Sequence, residues 1–372
     1  MGEIRTHETL SGPPVFKTGA FNRSATTPRA IKLLTMIDPV DLTRSLLAIP
    51  SPTGREHAVT ALLADHLSGL GWQVTRQLVR DGRENLYAHH GDPVVVLSTH
   101  VDTVPPELAY REDADAIHGR GACDAKGIVA AMIAAAEELV ATGERRIGLL
   151  FVVDEEDGSA GARAAATLAP KGRFLINGEP TGNRLVTAQK GTLKIILEAE
   201  GRAAHSGYPE RGDSAIDRLL DALQRIRAVV LPVDAELGPS TLNIGRIAGG
   251  EAPNVVAPHA RAELLVRLVG HDEETPAAIR AAAGPGIEVT FIPGLPPARA
   301  PSIPGWPSTT VAFASDLAVL GSWGTCYQLG PGSIHLAHTA DEHILKEELR
   351  AGAALYVRLV RTLLDEEQRT SK

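Results

Sequence analysis

Five short clusters in this chain carry side chains able to do chemistry. They are His100-x-Asp102 in "VVVLSTHVDTVP", Asp124 in "GRGACDAKG", Asp154-Glu155-Glu156 in "RIGLLFVVDEE", Glu179 in "FLINGEP" and His338 in "LAHTADEH". Carboxylates gathered at buried strand ends repel one another and lose hydration, so a cation is needed among them. A mixed imidazole and carboxylate set without thiolates suits Zn²⁺ or another borderline divalent metal better than Ca²⁺ or Mg²⁺. Each cluster alone has a plainer account. His100 reads as a hydrogen-bonded histidine, and Asp124 as the N-cap of the helix that follows it. Glu155 and Glu156 read as a solvated turn, and Glu179-Pro180 as a loop entry. His335 and His338 lie in a loop rich in Gly, Pro and Ser. The set is what favours a shared site, because three successive strands each end on such groups.

The elements that must position these groups follow from hydrophobic spacing. A helical pattern runs from Asp38 to about Leu70, with Gly69 and Gly71 as its stop. Strands are expected around Val74–Leu78, Leu86–His89 and Val94–Ser98. "KGIVAAMIAAAEELVATG" is a helix ended by Gly143. Two further apolar strands, "RIGLLFVV" and "FLIN", alternate with it and with the short helix "GARAAATLAP". That alternation implies a mostly parallel sheet covered by helices, whose binding crevice lies at the strands' carboxyl ends. After Lys190 the pattern changes to strand, helix, two strands, helix, strand. This βαββαβ order predicts an inserted α+β domain over residues 190–297. The Pro-rich "PGLPPARAPSIPG" reads as a linker back, and the helix "LKEELRAGAALYVRLVRTLL" as a return to the first domain.

Composition narrows the function classes. The chain has 372 residues with 44% hydrophobic and 22% charged content, room for a large core and more than one domain. A net charge of −8 argues against nucleic acid as a partner. Two cysteines, Cys123 and Cys326, make no disulfide framework and point to a reducing, cytoplasmic home. Cys123 itself reads as small buried packing beside Asp124. No apolar run is long enough for a membrane; the best, from Gly127 to Val140, is broken by Glu137 and Glu138. Residues 1–35 are polar and aperiodic, without a signal peptide's apolar segment, and read as a disordered tail or an over-called start.

"STHVDTVP", "GRGACDAKG", "VVDEEDGSAGAR", "GEPTGN", "AEGRAAHSGYP" and "LAHTADEHI" occur in an order that resembles the aminoacylase/carboxypeptidase G/succinyl-diaminopimelate desuccinylase family of co-catalytic zinc amidohydrolases. The pattern is most similar to members of the acetylornithine deacetylase type. The likeness runs from about Asp38 to the C-terminus. It implies two Zn²⁺ per subunit, with Co²⁺ as a substitute. His100 and Glu179 would hold one ion, Glu156 and His338 the other, and Asp124 would bridge them. The spacing of "AHTADE", with Glu342 downstream, favours His338 over His335 as that ligand. Asp102 would support His100 and fix its tautomer, and Glu155 would be the general base. A local turn, helped by Gly158, must aim both Glu155 and Glu156 inward, because adjacent side chains in an extended segment diverge. His205 matches an oxyanion-stabilising histidine that acts on the partner's site in dimeric relatives. Asn254, Arg267 and Gly332 match positions near the substrate. Arg267 reads equally as a carboxylate anchor and as part of a solvated strand face.

The resemblance thus implies a catalytic domain made of residues 36–189 and 298–372, and a lid and dimerisation domain over 190–297. The expected reaction is hydrolysis of an N-acyl amino acid of the acetylornithine, acetyllysine or acetylcitrulline type. Succinyl-diaminopimelate, and a lysine or ornithine held on an amino-group carrier protein, are alternative substrates. A dipeptidase or aminopeptidase on the same scaffold is another reading, and a ligand-binding relative without catalysis a further one. A homodimer through the lid is expected.

Overall fold

The structure is a computed structural model that describes residues 37–270 and 273–370. The expectation for residues 1–35 falls outside the described residues. Asp38 caps the first helix, Pro39–Leu47, by accepting from the Val40 N–H at 3.0 Å, and Pro39 occupies the first turn. The helical stretch expected up to Leu70 is in fact two helices. Pro50, Pro52 and Gly54 break it before His57–Gly69.

Among the described residues, a six-stranded sheet runs in the order Gln73–Arg80, Arg83–His89, Ile147–Val152, Val95–His100, Phe174–Asn177, Thr325–Gln328. The last four of these pair in parallel. The first two form an antiparallel hairpin through Asp81 and Gly82, both at positive φ, and the hairpin joins Ile147–Val152 antiparallel. The sheet is therefore mixed, parallel at its centre and antiparallel at one edge. Val95–His100 and Ile147–Val152 are buried at every position. Val95, Leu97, Leu149 and Phe151 face one cluster of core residues, whereas Val96, Leu150 and Val152 face another around Tyr87 and Trp323. Both faces are covered, which explains why these strands read as unbroken apolar runs. The helix Lys126–Ala141 is buried along most of its length and packs against the final helix, Lys346–Thr370.

The change of pattern after Lys190 corresponds to a separate antiparallel sheet, ordered Thr241–Gly249, His259–Leu268, Gly191–Glu200, Ile287–Pro293. Helices Ala215–Arg227 and Glu274–Ala283 cover its buried face, with their own cluster around Ile195, Leu197, Leu219, Leu264 and Ile279. Ser214 starts the first of these helices by accepting from the Asp217 N–H at 3.2 Å. The segment expected as a linker is partly ordered into a third sheet. Ala298–Arg299 and Ser308–Val311 flank Leu185–Gln189 there.

Candidate active site and metal centre

One cavity of about 310 Å³ opens just beyond the carboxyl ends of Ile147–Val152 and Phe174–Asn177, with His100, at the end of Val95–His100, behind Asp124. Asp124, Glu155, Glu156, Glu179, Arg267 and His338 line it. This is the position at which parallel sheets bind ligands.

Asp124 lies between two histidines. One carboxylate oxygen is 3.0 Å from His100 Nε2 and the other 3.3 Å from His338 Nε2. His338 Nε2 is also 3.0 Å from Glu156 Oε1. His335 makes no such approach; it is exposed on an adjoining groove. Asp124 does not cap the following helix, whose N-cap is Ala125 without a side-chain bond. Its carboxylate is spent on the cavity instead. Cys123 is buried, with Sγ directed at Ser333 and Glu342, and takes no part in the cluster.

Asp102 is fully buried, and its role is wider than the expected support of His100. His100 Nδ1 lies 3.0 Å from the Asp102 backbone carbonyl and 3.5 Å from its carboxylate. Both are acceptors, so the imidazole proton sits on Nδ1. The two oxygens of the Asp102 carboxylate accept the backbone N–H groups of Glu155 and Glu156, each at 3.1 Å, and Thr53 Oγ1 donates at 2.9 Å. Asp154 is left-handed at φ 69° and is held by Arg80 at 2.9 Å and Arg83 at 2.7 Å. Gly158 follows at φ 110°, a conformation that glycine adopts without strain. These constraints form the turn that brings Glu155 and Glu156 to the same cavity. The Glu155 carboxylate accepts no hydrogen bond from the described residues.

The donor chemistry fits a divalent pair. His100 has an acceptor at each ring nitrogen, with Nε2 3.0 Å from the Asp124 carboxylate, so that nitrogen needs either a second proton or a bound cation in the proton's place. One atom each from His100, Asp124 and Glu156 lies within 4.8 Å of the others. The electrostatics agree. Burial pushes Glu155 and Glu179 well above the usual carboxylate pKa; Glu179 adds to the rise at Glu155, and Asp124 to that at Glu179, against a lowering by His100. Burial disfavours charge on His100, yet Asp102 and Asp124 hold it well above the usual imidazole value. Bonds to Asp124 and Glu156 raise His338 to about 10. The imidazoles hold Asp124 low despite its burial, while Glu155 and Glu179 are pushed up by burial and by neighbouring carboxylates, a crowding of acids that a bound cation would relieve. His100, Asp124 and Glu156 could share an ion, His338 lies against Asp124 and Glu156, and Glu179 lines the same cavity.

The remaining expected residues are placed unevenly. Arg267 reaches the cavity, where the charge of Glu155 acts on it, and its guanidinium makes no hydrogen bond among the described residues. His205 and Asn254 lie together on the smaller module, exposed and outside this cavity; His205 Nδ1 accepts the Gly207 N–H, and the Asn254 carbonyl accepts the Ser206 N–H. Gly332, at φ 91°, packs where a Cβ would stand 2.7 Å from the Cys123 Cβ. It fits the chain under the Asp124 loop and does not line the cavity. Two residues escaped the sequence reading of the site. Glu342 is buried, pairs with Arg120 at 2.6 Å and accepts the N–H groups of Gly121 at 2.9 Å and of Cys123 and Asp124 at 3.3 Å. Arg163 lines the cavity from the helix Ala160–Ala165. Glu342 had a spacing signal in "AHTADE", but nothing local announced its clamp on Asp124.

This fold and cavity define a metal-dependent hydrolase of the peptidase and amidohydrolase kind. Residues 96–362 match the model of peptidase family M20/M25/M40, and the chain belongs to that family. It is 39% identical over 338 residues to a peptidase M20 domain-containing protein of Schizosaccharomyces pombe, covering 86% of this chain and 84% of that one. A protein of Emericella nidulans named "Probable carboxypeptidase" is 36% identical over 379 residues, covering 88% and 89%. Among solved structures, an M20 family metallo-carboxypeptidase of Sulfolobus solfataricus superposes with a TM-score of 0.72 at 16% identity, over 88% of this chain and 99% of that one.

Proposed function

We propose that the protein hydrolyses an amide bond whose amine side is an amino acid with a free α-carboxylate. The observation that carries this reading is Arg267, a guanidinium that enters the cavity with no hydrogen-bond partner among the described residues. Its planar fork pairs bidentately with a carboxylate. Both a C-terminal peptide bond and an N-acyl amino acid present that group, so the carboxypeptidase name of a relative and the N-acyl-amino-acid reading share one leaving group. N-acetylornithine, N-acetyllysine, N-acetylcitrulline, succinyl-diaminopimelate and a carrier-bound lysine or ornithine are the candidate substrates.

A bound pair of divalent ions, zinc by donor type, supplies Lewis-acid polarisation of the carbonyl and a more acidic water. The chain's own groups do the rest. Glu155 faces the cavity with an unengaged carboxylate, takes a proton from the attacking water and passes it to the leaving nitrogen. Asp102 keeps Glu155 in place through the backbone and keeps the His100 proton on Nδ1. Arg267 holds the product amino acid's carboxylate. His205 of the partner subunit donates to the developing oxyanion, because His205 of the same chain stands outside the cavity. The dimer is supported by Leu220 and Ile247, 50% and 52% exposed, beside the free edge strand Thr241–Gly249.

The test is a panel on metal-loaded protein: N-acyl amino acids, dipeptides, and the same compounds with the carboxylate amidated. Cleavage of carboxylates but not of amides is expected. Cleavage only of substrates with a free α-amine, whatever their C-terminus, would replace this reading with an aminopeptidase.

A further inference from the structure

A second group of metal-type donors lies away from the cavity. His118 ends the short strand Ala116–His118 and stands directly opposite His343 on the antiparallel strand His343–Leu345. Their ring centroids are 5.0 Å apart. With Asp341, they offer ligand atoms within 4.8 Å of one another.

The proton positions are the telling feature. His118 Nε2 lies 3.1 Å from the Asp113 carboxylate, and His118 Nδ1 accepts from Arg111 at 3.0 Å. A guanidinium only donates, so the imidazole proton is on Nε2 and the Nδ1 lone pair is the one available to an ion in exchange for Arg111. His343 Nδ1 lies 2.7 Å from the Asp341 backbone carbonyl, which places its proton there and frees Nε2. Both imidazoles therefore donate one N–H to an oxygen; His343 Nε2 carries no bond among the described residues, and His118 Nδ1 is engaged only by the exposed Arg111 guanidinium. A carboxylate behind one ligand and a carbonyl behind the other are the usual supports of metal-bound histidine.

We infer that His118, His343 and Asp341 form a peripheral site for a borderline divalent cation, Zn²⁺ by donor type, with Asp113 as the support of His118. Nitrogen and oxygen donors without a thiolate suit that ion. Ligand atoms around a tetrahedral zinc lie about 3.3 Å apart, as its bond lengths require. Asp341, with a side chain 75% exposed, is free to close that distance. The Arg111 guanidinium now supplies the positive charge. Its side chain is 63% exposed and lies 3.5 Å from Asp341, so it can swing into solvent when the ion enters. Glu342 sits in the chain between two of the ligands, but its carboxylate turns away from them to the Asp124 loop, so it is not a ligand of the peripheral ion.

The inference does not rest on the reading of the cavity. Metal-loaded protein is dialysed against buffered free Zn²⁺, and bound zinc is counted by mass spectrometry together with kcat. Wild type is expected to hold one zinc per chain more than His118→Ala or His343→Ala, with kcat of His118→Ala unchanged. Asp113→Ala should weaken the extra site about 10–100-fold, as loss of a ligand's supporting partner does. Arg111→Ala should tighten it by removing a competitor. Equal zinc in wild type and both histidine variants would overturn the proposal. So would a fall in kcat that tracks the lost zinc in His118→Ala, since the missing ion would then come from the cavity. Should His343→Ala not fold, His118→Ala and Asp113→Ala decide the question by themselves.

Discussion

Asp124 presents one oxygen to His100 and the other to His338, and Glu155 stands beside that group with its carboxylate unengaged. The division separates holding from proton transfer. Glu155→Gln keeps shape and should keep bound metal while lowering kcat about 10²–10⁴-fold, the usual worth of a positioned base. Metal content and turnover measured on one preparation check it; a variant with near-normal kcat would remove Glu155 from the proton path. Arg267 acts at the other end of the substrate. Arg267→Ala should remove roughly 2 kcal/mol of charge-assisted binding, about 30-fold, from kcat/KM for free carboxylates. Amidated analogues should show no comparable loss. Equal losses on both would assign Arg267 to the strand face rather than to the substrate.

The elements that carry these residues are held by buried polar groups of other segments. Asp102 fixes the turn Glu155–Gly158 by accepting two backbone N–H groups. Asp102→Ala should loosen that turn and weaken metal retention about 10–100-fold, read by chelator competition. Retention equal to wild type would show that Arg80, Arg83 and Gly158 suffice. Glu342 does the same for the Asp124 loop, in a pair with Arg120 that is nearly water-free on both sides. Glu342→Ala leaves a buried guanidinium unpaired and should cost about 3–5 kcal/mol, seen as a lower midpoint in denaturant titration. Spacing announced neither contact. Asp102 and the turn are far apart in sequence, and a carboxylate aimed at backbone N–H groups leaves no periodic trace. The longer elements were legible because their apolar spacing persists over several turns or residues. The three small sheets among the described residues, with strands of two to five residues, lack that length.

On the scale of the whole molecule, the smaller sheet places Arg267 in the cavity but leaves His205 and Asn254 outside it. One chain therefore lacks the oxyanion donor that the proposed reaction uses. Wild type should sediment as a dimer, and Ile247→Glu, on the exposed edge strand, as a monomer. In that monomer kcat should fall about 10²–10³-fold, the effect of losing one such donor. A fully active monomer would end the in-trans role of His205.

Sequence alone showed which residues could be ligands, and that His100, Glu156 and Glu179 end or closely follow buried strands. An apolar run that stops on an acid or histidine is a local signal, since burial on both faces dictates every residue before the stop. The change of period after Lys190 was equally local. Tertiary structure decided the rest: that Asp124 serves two histidines rather than a helix N-terminus, that Asp102 and Glu342 grip backbone far along the chain, and that His205 and Asn254 lie outside the cavity of their own chain. Hydrogen-bond partners and distances between strands depend on how segments pack, and packing has no period that can be read along one dimension.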